Sequence, residues 1–164
     1  MSDGLTAAPG APASVEAGWV VRNPGGLTLE SLDAAEVRAL FRAAGVLLFR
    51  GFEVGPLEMK AFAERFSIRF NGNQSRPAVE GTGGAVHHVT EGMGEVEAHC
   101  EQANSPFRPD AVWFCCETPA ADGGNTLVWD GVRVWEELGA DVRAALAGRR
   151  LQPDPFGRSG KVLI

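Results

Sequence analysis

RAAGVLLFRGFEVGPLEMKAFAERF, residues 42–66, decides how the first part of the chain folds. Val46, Leu47, Leu48 and Phe49 form a continuous apolar run between Gly45 and Arg50, which suits a buried strand. Before it, Asp33 followed by Glu36 has the form of a capping box. Val37, Leu40 and Phe41 then recur at helical spacing up to the stop at Gly45, which predicts a helix over 33–44. After the strand, the fixed φ of Pro56 suits a first-turn position, and Met59, Phe62 and Phe66 mark the buried face of a second helix.

Working outward, residues 1–18 are rich in Ala, Gly, Pro and Ser and read as a mobile lead-in, separate from a domain over 19–164. Trp19, Val20 and Val21 predict a short strand, ended by the turn signal Asn23, Pro24, Gly25, Gly26. Residues 71–95, with five glycines between Gly81 and Gly94, read as a long loop or lid. Alternation predicts strands over 95–101, 111–117 and 126–129, with Asp122, Gly123 and Gly124 as the turn before the last. Asp130 can cap a short helix burying Val134, Trp135 and Leu138, and Asp141 another through Ala147. Residues 153–160 form a Pro/Gly-rich loop. The apolar run at 162–164 reads as the start of a strand, whose open edge predicts self-association.

The 164 residues suit one domain, and 45% apolar with 22% charged residues is a globular composition. Lys plus Arg is 15 against 21 Asp plus Glu, a net charge of -6, so nucleic acid and anionic membrane surfaces are not expected partners. The N-terminus has neither a basic opening nor an apolar signal core, and no apolar run approaches a membrane span, so a cytoplasmic location is the expectation. Three cysteines, two of them adjacent, give no even disulfide framework and no C-x2-C zinc pattern. Trp113, Trp129 and Trp135 sit at element positions suited to core packing.

The chemistry lies in EVEAHCE, residues 95–101. Strand period two puts Glu97, His99 and Glu101 on one face, where an imidazole nitrogen and a carboxylate oxygen two residues apart can chelate one metal ion. N and O donors suit a divalent first-row metal such as iron, bound by two histidines and one carboxylate with positions left open. H-x-E alone also fits a half-exposed strand with a solvated acidic face. Glu97 reads as solvated or as a substrate contact, and Asn104 and Arg108 in the following loop read as substrate contacts.

Three stretches together resemble the TauD/TfdA-like, or clavaminate synthase-like, branch of the iron(II)- and 2-oxoglutarate-dependent dioxygenases. They are residues 42–66, AHCEQANSPFRPDAVWFCCETPAADGGNT (98–126) and LVWDGVRVWEELG (127–139). The resemblance implies a partial double-stranded β-helix, or jelly roll, with flanking helices, in a mixed α+β chain. It implies His99 and Glu101 as iron ligands, Glu standing where Asp is commoner. Thr126 would then hydrogen-bond the carboxylate of 2-oxoglutarate, although an ordinary Thr after a Gly-Gly turn has the same sequence. The implied cofactors are Fe(II), 2-oxoglutarate as co-substrate and O2, and the implied reaction is oxidation of a small organic molecule.

The chain departs from that family in one respect. The triad calls for a distal histidine and 2-oxoglutarate for a distal arginine, whereas the remaining histidines, His87 and His88, both precede His99. The expectation is therefore the N-terminal part of a longer enzyme. The alternative is a truncated or degenerate jelly-roll domain that binds a small molecule or a protein partner without turnover.

Overall fold

A computed structural model describes residues 6–9, 18–72, 76–89, 97–102 and 108–149. The chain divides into two compact units, one of residues 1–92 with 113–124, the other of residues 93–112 with 125–164.

The first unit is built on a three-stranded sheet. β1 (Thr6–Pro9) pairs antiparallel with β2 (Trp19–Arg22), which pairs in parallel with β3 (Leu47–Arg50). The register sets Trp19 opposite Leu47 and Arg22 opposite Arg50. A parallel pair needs a crossover connection, and α1 (Ala34–Ala44) supplies it. Local signals set its limits: the Asp33 carboxylate accepts from the Glu36 amide at 2.8 Å, and Gly45 closes the helix in a left-handed conformation at φ 71°. α2 (Pro56–Glu64) starts as the proline predicts, with Glu58 accepting from the Gly55 amide at 3.0 Å. The structure adds β1 within the segment read as a lead-in.

Asn23 ties the turn after β2 to the end of β3. Its Nδ2 donates to the carbonyls of Leu27 and Gly51 at 2.8 and 3.0 Å, and its Oδ1 accepts from the Gly25 amide at 2.9 Å. Leu29, Leu32, Val37 and Phe62 form the buried core, with Leu47, Phe49, Phe66 and Trp113 packed against it. Phe62, 1% exposed, meets Phe49, Phe66 and Trp113 edge-on at centroid distances of 5.5, 5.1 and 5.8 Å. β3 is buried on one face only: Leu47 and Phe49 point to the core, and Leu48 is exposed. Within the segment read as a long loop or lid, Ala78 and His87 form an isolated antiparallel bridge around the buried Thr82, whose hydroxyl donates to the Val79 carbonyl at 2.7 Å.

The second unit contains α3 (Gly131–Glu137) and α4 (Ala140–Leu146). Asp130 caps α3, accepting from the amides of Val132 and Arg133. α4 begins one residue before Asp141, with Gly139 at its N-cap. Neither helix buries a residue; Val134 and Trp135 are exposed, contrary to the core face expected of them.

The partial double-stranded β-helix implied by the resemblance is not present among the described residues, so the fold is a small mixed α+β arrangement without a jelly roll. Residues 97–101, 111–117 and 126–129 form no strand. Alternation selects which face a strand would bury, but a strand also needs a ladder partner for its backbone N–H and C=O groups, and among the described residues these segments pair with none. Gln102, in the left-handed region at φ 53°, also turns the chain immediately after Glu101. Of the turn expected at Asp122, Gly123 and Gly124, the structure has a bend at 121–122, followed by Gly123 and Gly124 in the left-handed region. The apolar run at 162–164 and the loop at 153–160 lie outside the described residues.

Because three aromatic rings converge on Phe62, the Phe62→Ala variant is expected to lose about 3–5 kcal/mol of unfolding free energy in a urea titration. Phe62→Leu, which keeps most of the volume, is expected to lose clearly less.

Candidate functional site

The second unit holds an open cleft of about 530 Å³, within the size range of small-molecule sites. His99, Cys100 and Glu101 line one part of it, Arg108, Pro109, Asp110 and Val112 another, and Trp129 with Gly131 a third. Gly131 opens α3, so the Asp130 cap that starts the helix also fixes the backbone beside Trp129.

His99 and Glu101 meet even though no strand aligns them. The His99 Nε2 lies 4.0 Å from Glu101 Oε2, and both side chains are partly exposed, at 56% and 31%. The other ring nitrogen, Nδ1, is 2.7 Å from the Glu97 carbonyl. A carbonyl oxygen can only accept, so Nδ1 carries the proton and donates it there; in the neutral ring this leaves the Nε2 lone pair on the side of the Glu101 carboxylate. An Nδ1–H held by a backbone carbonyl is the usual outer support of a metal-ligating histidine, so the two donors suit a divalent first-row ion. Among the described residues no group of three His, Cys, Asp or Glu side chains is arranged to hold a metal, so these two donors stand without a third.

The remaining candidates fall elsewhere. His87 belongs to the first unit, where its ring nitrogens each lie 3.0 Å from a backbone carbonyl, of Arg76 and of Gly84, so neither is turned outward as a donor. His88 uses its backbone amide to pair with the Pro77 carbonyl. Glu97 takes part through its carbonyl, and its side chain is exposed. Thr126 is exposed and does not line the cleft. Asn104 lies outside the described residues, whereas Arg108 is on the cleft wall.

Asp110 carries no signal in the sequence that would place it at the cleft. Trp129 reads as a core residue, yet it is 53% exposed and faces the cleft, while Trp113 alone of the three tryptophans packs in the core cluster. The cysteines are all free. Cys115 belongs to the first unit, where its thiol approaches the Val54 carbonyl at 3.5 Å. Burial is the main cause that pushes this thiol above its ordinary range, with the negative charge of Glu117 adding to it.

A thiol held protonated by folding reacts late. Alkylation of Cys115 by iodoacetamide, followed by peptide mass spectrometry, is expected to have its pH midpoint shifted to alkaline values relative to the urea-unfolded chain. Because the folded state holds this proton more tightly, the linked stability is complete below the unfolded thiol's range and falls as pH rises through the folded one.

Comparison with known proteins adds one match. The family model described as taurine catabolism dioxygenase TauD, TfdA family covers residues 7–162, and the chain belongs to that family. No curated protein and no solved structure matches the chain. No helix among the described residues is long and apolar enough to cross a membrane.

Proposed function

We propose that this chain, as a member of the TauD/TfdA dioxygenase family, takes part in the Fe(II)- and 2-oxoglutarate-dependent oxidation of a small organic molecule, with His99 and Glu101 as two of the iron ligands. The observation that carries the reading is the His99 ring, held by the Glu97 carbonyl with its second nitrogen 4.0 Å from the Glu101 carboxylate, on the wall of an open cleft. Iron with 2-oxoglutarate and O2 would supply the oxidation itself, coupled to loss of CO2 from the co-substrate.

The chain's own residues do the positioning. The Glu97 carbonyl fixes the tautomer and orientation of His99, so that the ring pays little to present Nε2. Glu101 supplies an oxygen donor and one negative charge toward the charge of a divalent ion. Trp129, Val112 and Pro109 give the cleft apolar walls that favour the carbon body of a substrate over water. Thr126 as a contact for the 2-oxoglutarate carboxylate is part of the proposal on the family resemblance alone. The third ligand of the triad would come from outside the described residues.

A second reading, binding of a small molecule without turnover, is favoured by one observation: among the described residues only two metal donors converge.

Calorimetric titration of the full chain with Co(II), an oxygen-stable stand-in for Fe(II), is expected to show one site. His99→Ala and Glu101→Ala should each weaken it by more than about ten-fold. Unchanged affinity in both variants would remove the iron reading.

A further inference from the structure

Gln102 directly follows Glu101 and holds a left-handed backbone, at φ 53°. Every other positive-φ position among the described residues is a glycine, which takes such a conformation without a Cβ penalty. Glutamine takes it at a cost, because its Cβ crowds the backbone, and strain of this kind persists where the surrounding structure requires it. The side chain does not account for it, since the Gln102 amide has no hydrogen-bond partner among the described residues. What position 102 holds is therefore a direction of the chain.

That direction sets which residues can share the cleft. An extended continuation beyond Glu101 would carry residue 108 about 20 Å from residue 102. Arg108 and Val112 instead line the same cleft as His99 and Glu101. The chain has to reverse between the two walls, and among the described residues the turn falls at 101–102. Glu101 shares that turn, with its carboxylate 4.0 Å from the His99 Nε2. Loss of the left-handed conformation at 102 would move the far wall and the carboxylate together. We propose that Gln102 is the positioning residue of this cleft: its backbone, not its amide, keeps the Glu101 carboxylate beside His99 and returns residues 108–112 to the opposite wall. The inference rests on the assignment of His99 and Glu101 as metal donors made above.

The test compares three substitutions in the full chain. Gln102→Gly and Gln102→Asn keep the left-handed conformation accessible, and Gly removes the amide altogether, whereas the β-branched side chain of Gln102→Val opposes that conformation. Calorimetric titration with Co(II) is expected to show Q102G and Q102N within about two-fold of the wild type or tighter, and Q102V about ten-fold weaker. In the isotopically labelled, metal-free chain, the amide resonances of Asp110, Ala111 and Val112 are expected to move in Q102V and to stay in place in Q102G and Q102N. A role for the side chain would group Q102G with Q102V, and a purely local effect would leave the resonances at 110–112 unmoved in all three.

Either of those patterns would overturn the proposal, as would Co(II) affinity in Q102V equal to that of the wild type. A wild type that takes up no Co(II), with the resonances at 110–112 moving in Q102V alone, would remove the iron reading and leave Gln102 as the residue that shapes the cleft. No Co(II) uptake together with unmoved resonances would overturn both.

Discussion

The folded part of the first unit depends on a single buried ring. Phe62 is where α2, β3 and the segment bearing Trp113 meet, and Phe49, Phe66 and Trp113 contact it at 5.1 to 5.8 Å. Arg65, one turn further, covers the outside of this cluster: its guanidinium lies 5.8 Å from the Phe62 ring centre and 5.9 Å from that of Phe66. The same group donates to three carbonyls around the 3-10 turn Leu29–Ser31, the closest at 2.7 Å to Leu32. Aromatic burial and hydrogen bonding to backbone carbonyls are therefore joined in one place, through side chains three residues apart on the same helical face.

What could be read from the sequence follows how local the cause is. The first helix, expected over 33–44 and found over Ala34–Ala44, is set by Asp33 at one end and Gly45 at the other, both acting within a turn of themselves. The start of α2 at Pro56 and the cap at Asp130 are equally local. The strands expected over 95–101, 111–117 and 126–129 fail for the opposite reason. Alternation in a sequence records a preference between two faces, while a ladder depends on a second segment that the alternation does not specify. β1 illustrates the same point in reverse: its residues TAAP carry no strand signal, and pairing with β2 alone makes them one.

The candidate site divides along the same line. His99 and Glu101 were legible because two positions separate them, and even in a turn that spacing leaves their side chains 4.0 Å apart. The carbonyl that holds His99 is also two residues away, at Glu97. Trp129 was not legible as a cleft residue, since His99 and Arg108, which line the same cleft, are 30 and 21 positions distant and nothing in a single sequence brings them together. Family membership is shown over residues 7–162, and the cleft supplies the residues on which the proposed chemistry is placed.

The central claim is that His99 and Glu101 serve an iron- and 2-oxoglutarate-dependent oxidation. The most direct measurement is the electron paramagnetic resonance spectrum of the Fe(II)-loaded chain after addition of nitric oxide, compared with the His99→Ala, Glu101→Ala double variant. The account predicts a protein-bound iron–nitrosyl signal from the wild type and only the signal of unbound iron from the double variant. The same signal from both proteins would contradict it.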